Sequence, residues 1–180
     1  MTARQGVTVW LTGLPSAGKS TIANALATQL RTDGRPVDIL DGDELRTELT
    51  ADLGFSKEDR ITNVRRIGFV AATLSRNGVT TIVPVIAPYA EARDHVRARH
   101  EASGTPYFEV HIATPVEECA DRDVKGLYAK QRAGDLAGLT GVDDPYEIPV
   151  APDLRLDTVG RSLDETVAEL LTALTARGLA

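Results

Sequence analysis

The segment Gly13-Leu-Pro-Ser-Ala-Gly18-Lys19-Ser20 constrains this chain more than any other feature. It matches G-x-x-x-x-G-K-[ST]. An apolar run, Val7 to Leu11, precedes it, and Ile22, Ala23, Leu26, Ala27 and Leu30 follow at helical spacing until Gly34. A strand, a glycine-rich turn and a helix in that order form a phosphate cradle. The glycines let backbone N–H groups turn inward on phosphate oxygens, and the helix N-terminus adds its positive end. In such a cradle Lys19 reaches the β- and γ-phosphates and the Ser20 hydroxyl binds Mg²⁺. Gly13, Leu14, Pro15, Ser16, Ala17, Gly18, Lys19, Ser20 and Thr21 are the expected nucleotide-binding residues. The reading is ATP or GTP binding.

Beyond the loop, strand-like and helix-like stretches alternate. Val37 to Leu40 reads as a second strand running into Asp41-Gly42-Asp43. Val79 to Ile86 reads as a third, Tyr107 to Ile112 as a fourth and Leu154 to Leu156 as a short fifth. Ser56 with Asp59 three residues on opens a long helix striped by Ile61, Val64, Ile67, Ala71 and Leu74 and closed by Asn77-Gly78. Ser162 with Glu165 opens a last helix striped by Leu163, Val167, Leu170, Leu171 and Leu174. This alternation builds βαβ units, hence a mostly parallel five-stranded sheet with helices on both faces. Pro84 cannot donate to a ladder, so a bend or an irregular end is expected within the third strand. From Arg122 to Pro152 the periodicity fails, apart from a helical patch at Leu127 to Arg132; this stretch reads as a lid.

The 180 residues suit one domain, 1–180, at roughly 150 residues per domain. With one Trp, four Tyr and three Phe, the core must be mostly Val, Ile, Leu and Ala. A net charge of −6 argues against nonspecific binding to nucleic acid or anionic membrane. The opening Met1 to Gly6 shows no signal-peptide pattern and no run is long enough for a membrane span. The single cysteine, Cys119, forms no internal disulfide, which fits a reducing cytoplasm.

Which class of phosphate-loop protein is this? None of the three Asn, at 24, 63 and 77, is followed by Lys, so the guanine-reading Asn-Lys-x-Asp is missing. The third strand ends Val85-Ile86-Ala87-Pro88 without the carboxylate that motor and transport ATPases place there. The carboxylates come early instead, as Asp41 and Asp43 after the second strand, where ligands bind in parallel sheets. Asp-Gly-Asp also reads as a turn with an N-cap. Arg46 follows Asp43 by three residues, and Phe55, Arg60 and Asn63 lie beyond. An aromatic ring, two guanidinium groups and an amide suit a substrate with a flat base and anionic groups, although they also suit a salt-bridged surface. The class indicated is a three-layer P-loop kinase fold, acting on a small molecule or nucleotide.

These residues resemble the adenylylsulfate kinase (APS kinase) family. The matching pieces are Gly13 to Ser20, Asp41-Gly-Asp-Glu-Leu-Arg46, Gly54-Phe-Ser-Lys-Glu-Asp-Arg60, Asn63-Val-Arg-Arg66, Ile86-Ala-Pro-Tyr89, Arg122-Asp-Val-Lys-Gly-Leu-Tyr128 and Thr140-Gly-Val-Asp-Asp-Pro-Tyr-Glu147. The resemblance implies transfer of the γ-phosphate of ATP to the 3′-hydroxyl of adenosine 5′-phosphosulfate (APS) in sulfate assimilation, with Mg²⁺ held by Ser20 and Asp41, partly through water. It implies that Lys19, Asp43 and Arg46 are catalytic, with Asp43 beside the attacking hydroxyl. Arg46, Arg60 and Asn63 would hold the acceptor and Phe55 would stack on its adenine. Ile86 and Ala87 would line that pocket, and Lys125 would reach over from the lid. It further suggests a homodimer and association with an ATP sulfurylase. A kinase for another acceptor, or a nucleotide-binding domain without turnover, are the alternatives.

Two departures from the family pattern stand out. Leu139, in Gly138-Leu139-Thr140, replaces a lid aromatic that stacks on the acceptor adenine in many members. Ala87 replaces a Ser associated with a phosphoserine intermediate. The remaining residues read blandly: His95 and His100, with Arg93, Arg97 and Arg99, as a solvated helix face; His111 as a core or edge residue; Cys119 as a packed thiol; Trp10 as core.

Overall fold

In the computed structural model, which describes residues 5–180, β1 (Val7–Thr12) is buried along its whole length. A strand buried on both faces needs helices on both. Val7, Val9 and Leu11 pack with α1 (Lys19–Thr32) and α7 (Leu163–Ala176), through Leu26, Leu30, Leu170 and Leu174. Trp10, of opposite parity, packs on the other face with α3 (Lys57–Arg76) and α4 (Ala90–Ala102), among Val64, Ile67, Ala71 and Val96. Residues 1–4, part of the segment read as leading directly into this strand, lie outside the described residues.

β2 (Val37–Ile39), β3 (Thr80–Pro84), β4 (Tyr107–Ile112) and β5 (Leu154–Leu156) complete a parallel sheet of order β2-β3-β1-β4-β5. Three short helices join it: α2 (Gly42–Glu48), α5 (Val116–Arg122) and α6 (Leu127–Ala133). The expected three-layer α/β arrangement is what the chain adopts. β1 sits between β3 and β4, so the chain leaves the sheet's middle in opposite directions there, and a crevice opens at the strands' carboxyl ends.

Pro84 does not bend the third strand. Val85 N–H donates to Leu11 O at 3.0 Å, so residue 84 faces the β2 side, where β2 has already turned away beyond Leu40. The proline closes a regular strand two residues earlier than the apolar run suggests. Close packing of the two long helices depends on Gly68 of α3, since a Cβ there would stand 2.4 Å from Val96 Cγ2 of α4.

The charged stretch in α4 is not a solvated face throughout. His100 is fully buried, with Nε2 2.8 Å from Thr8 Oγ1 and Nδ1 2.8 Å from Val96 O. Thr8 in turn meets Ser75, which donates to Thr81, so a buried polar chain ties α4 and α3 to the sheet. Arg93 is buried as well. Trp10 and Cys119 are core residues and His111 is buried, as read from sequence. Both halves of the Ser162–Glu165 capping box are present; at Ser56 only the hydroxyl caps, and the Asp59 carboxylate accepts from Gly54 N–H instead. Among the described residues no helix is long and apolar enough to cross a membrane.

Candidate active site

The phosphate loop bridges β1 and α1. Ser16 (φ 61°) and Gly18 (φ 102°) both take left-handed backbone conformations, and Gly18 is the N-cap of α1. Alternation of hand at these positions turns successive N–H groups toward one point and leaves the first turn of α1 open to an anion. Holding Ser16 in this region costs roughly 1–2 kcal/mol. The surroundings enforce it: Ala17 N–H donates to Leu14 O, Thr114 donates to Ala17 O, and Tyr128 of α6 donates to Pro15 O at 3.0 Å.

Lys19 is buried beneath the loop and donates to Gly13 O at 2.9 Å and Leu14 O at 2.7 Å. Burial pulls its ammonium down from the ordinary 10.5 to about 8, with the nearby Lys125 charge adding to the fall. Ser20, one residue on, points outward and donates to Asp41 Oδ2 at 3.0 Å. The other oxygen of Asp41 accepts from Asp43 N–H at 2.9 Å, making Asp41 the N-cap of α2. The two sequence readings of Asp41 therefore both hold: the carboxylate caps a helix and faces the phosphate loop. Asp43 is exposed and ion-pairs with Lys125, which reaches across from the 122–152 segment.

Arg46 and Arg60 flank Phe55, their guanidinium carbons 4.7 and 5.7 Å from its ring centre. The ring itself is 72% exposed, with both guanidinium groups over it in cation–π contact. Arg46 donates to Gly54 O at 2.8 Å; burial and the neighbouring Arg60 charge both lower its pKa. Arg60 uses Nε on Phe55 O, Nη1 on Thr140 Oγ1 and Nη2 on Gly138 O, at 2.7–2.8 Å. Asn63, one turn along α3, accepts from Thr50. Leu139 is placed otherwise than its sequence position suggests. It is 5% exposed and belongs to the core cluster around β1 and α1, because Asp143 takes the N–H groups of Gly138 and Leu139 and turns the side chain inward.

Ile86 and Ala87 follow β3 on the same side of the crevice. Ala87 is buried and left-handed (φ 45°). Thr12 donates to Ile86 O at 2.6 Å and Arg93 to Ala87 O at 2.7 Å. Sequence reading missed the residues that moor the 140–147 segment here. Tyr89 donates to Asp144, Tyr146 shares a hydrogen bond with Thr12, and Glu147 N–H donates to Pro88 O. Burial raises the Tyr146 phenol to about 12 and lowers His111, stacked on it, to about 4, so both stay neutral at physiological pH. In the sequence these residues stand out through the family-like segments Ile86 to Tyr89 and Thr140 to Glu147, and no periodicity shows that the two segments meet.

Among the described residues no cluster of three His, Cys, Asp or Glu could cage a metal. The Ser20 and Asp41 oxygens, brought together from two elements, are instead the sparse hard-oxygen set that suits Mg²⁺, which keeps waters and takes phosphate ligands.

The family described as adenylylsulphate kinase matches residues 5–157. An adenylyl-sulfate kinase from Picosynechococcus sp. is 50% identical over 174 residues, 97% of this chain and 96% of that one. An APS kinase from Mycobacterium tuberculosis, solved in complex with AMPPNP and APS, superposes with a TM-score of 0.92 at 46% identity, over 96% of this chain and 99% of the other. A hexameric APS kinase from Thiobacillus denitrificans gives 0.76 at 40% identity, over 98% of this chain but 30% of that longer one.

Proposed function

Since the chain belongs to the adenylylsulphate kinase family, we propose that it transfers the γ-phosphate of ATP to the 3′-hydroxyl of adenosine 5′-phosphosulfate, giving 3′-phosphoadenylylsulfate and ADP. The observation that carries this reading is a convergence. A phosphate loop with a buried lysine, the Asp41–Asp43 pair and an exposed aromatic ring in contact with two arginines all lie toward the carboxyl ends of one parallel sheet.

In this reading the loop N–H groups and Lys19 hold the β- and γ-phosphates, Lys19 exchanging two loop carbonyls for phosphate oxygens. Phe55 stacks on the acceptor adenine, while Arg46, Arg60 and Asn63 hold its anionic and polar groups. Asp43, one oxygen engaged by Lys125, orients the 3′-hydroxyl with the other. The 3′-oxygen forms its bond to the γ-phosphorus as the bond to the ADP oxygen breaks, and the hydroxyl proton passes to Asp43. Positioning and charge stabilisation dominate such transfers. Ser20 and Asp41 would hold Mg²⁺, partly through water, which when bound neutralises charge on the phosphate oxygens.

The experiment is ADP release from ATP and Mg²⁺ with and without APS: APS-dependent release is expected, and APS-independent or absent release refutes the assignment. Residues 122–152 act as a lid on a single domain, 1–180, supported by Lys125 meeting Asp43 and Tyr128 meeting the loop. A cytoplasmic homodimer, able to associate with an ATP sulfurylase, completes the reading, and sedimentation velocity with and without that partner tests it.

A further inference from the structure

Arg93 is buried, charged and outside the residue set just assigned. α4 turns it inward beside Ala92 and Val96, and its guanidinium meets three separate parts of the molecule. Nη1 donates to Ala87 O at 2.7 Å, Nη2 donates to Glu147 O at 2.6 Å, and Nε lies 3.3 Å from Glu109 Oε1 of β4. Glu109 is held from its other oxygen by Arg97, which also pairs with Asp153, so the anchor is itself fixed.

We infer that Arg93 is a positioning residue for the acceptor pocket, holding the Ala87 backbone and tying it to Glu147, where the lid segment returns to the domain. The inference rests on the proposed reaction and deepens it. Two features support it. Ala87 has a Cβ and yet takes a left-handed backbone, a conformation that persists only where neighbours over-determine it; Arg93 supplies the bond to its carbonyl. The same limb is fastened again beside it, with Glu147 N–H on Pro88 O and Glu147 Oε2 accepting from Ala90 N–H at 2.6 Å. The Tyr146 ring packs between Arg93 and His111, with its hydroxyl on Thr12, whose own hydroxyl holds Ile86 O. Pocket wall and lid limb thus share one clasp. The clasp reaches the phosphate loop at its margin, through Thr12 before it and Leu14 beside Gly141, and does not engage the Lys19 ammonium or the Ser20 hydroxyl, so the effect is expected to fall on the acceptor more than on ATP.

A planar fork is needed to reach two carbonyls and a carboxylate at once, which a lysine cannot do. Arg93→Lys keeps a cation for Glu109 and loses at least one carbonyl. The paired variant Arg93→Met with Glu109→Met removes both charges at similar volume and avoids stranding one of them. Calorimetry with APS and, separately, AMPPNP is run on parent and both variants, alongside thermal melts and APS-dependent kinetics. Expected is a rise of about tenfold, roughly 1.4 kcal/mol, in the APS Kd and KM for the paired variant, a smaller rise for Arg93→Lys, and AMPPNP affinity within about twofold. Unchanged APS affinity in either folded variant overturns the inference, as does equal weakening of both ligands, which marks a merely structural residue. A parent that binds APS without turnover defeats the proposed reaction and leaves the binding arm to decide this inference.

Discussion

Lys19 carries the prediction that the structure specifies most closely. Its ammonium sits under the loop on two carbonyls, and burial lowers it from 10.5 to about 8, a cost of about 3 kcal/mol for keeping the charge. A triphosphate on the loop supplies the missing counter-charge and raises that pKa again. The nucleotide therefore binds the protonated form, and the sign follows: affinity is full below pH 8 and falls as pH rises through it. Between pH 7 and pH 9 the protonated fraction drops from about nine-tenths to about one-tenth, so the Kd for AMPPNP should rise about tenfold.

Among the neighbouring groups, burial pushes the Cys119 thiol up and lowers His111 to about 4, below this window. The assay is titration calorimetry at pH 8 in buffers of different ionisation enthalpy, which should report uptake of about half a proton per nucleotide. Lys19→Arg, charged at every pH used, should flatten the profile. A parent Kd constant from pH 7 to 9 without proton uptake would refute the reasoning, since Lys19 would then be fully charged before the nucleotide arrives.

Asp43→Asn should lower kcat strongly while leaving AMPPNP affinity within about twofold; a loss rescued by raising Mg²⁺ would instead make Asp43 a metal ligand. Phe55→Ala removes an exposed ring, so the melting temperature should hold while the APS Kd rises about tenfold, within the roughly 1–3 kcal/mol of a base–aromatic stack. Leu139→Phe overfills a buried site and should destabilise by roughly 1–3 kcal/mol in urea unfolding without tightening APS. With a methyl group at Ala87, incubation with γ-labelled ATP alone should leave the protein unlabelled, and label that chases onto added APS would refute direct transfer.

What the sequence made legible depended on how local the physics is. Strands at 107–112 and 154–156 and the helix opening at Ser56 follow from apolar runs and a capping hydroxyl, all readable within a few residues. The phosphate loop and Asp41 are equally local, a strand, a turn and a helix start in series. Helix α2 shows in the sequence through its N-cap at Asp41 alone, because none of its residues is buried and no apolar stripe marks its length. Arg93 and His100 misled for the opposite reason. Their helix is dense in charge, and the partners that justify burying them, Glu109, Glu147 and Thr8, lie up to 92 residues away. Leu139 belongs to the same class: its direction is set by Asp143 hydrogen bonds that no periodicity encodes.

A chain of net charge −6 that binds two polyanions needs positive charge that its own acids do not cancel. The way its cations are held meets that need. Away from the crevice, arginines are paired with carboxylates: Arg66 with Asp52, Arg97 with Glu109 and Asp153, Arg161 with Glu169. Around the crevice the closest partners are mainly neutral oxygens. Lys19 rests on Gly13 and Leu14 carbonyls, Arg46 on that of Gly54, and Arg60 on those of Phe55 and Gly138, with Asp144 farther off at 3.8 Å. A carbonyl dipole orients a cation without neutralising it, so three charges remain available to phosphate and sulfate oxygens. Of these four cations Lys125 has the closest carboxylate, and that partner is Asp43, the group that must be placed rather than neutralised. The local field is therefore set by backbone geometry instead of charge balance, which lets the surface stay acidic while the crevice stays cationic.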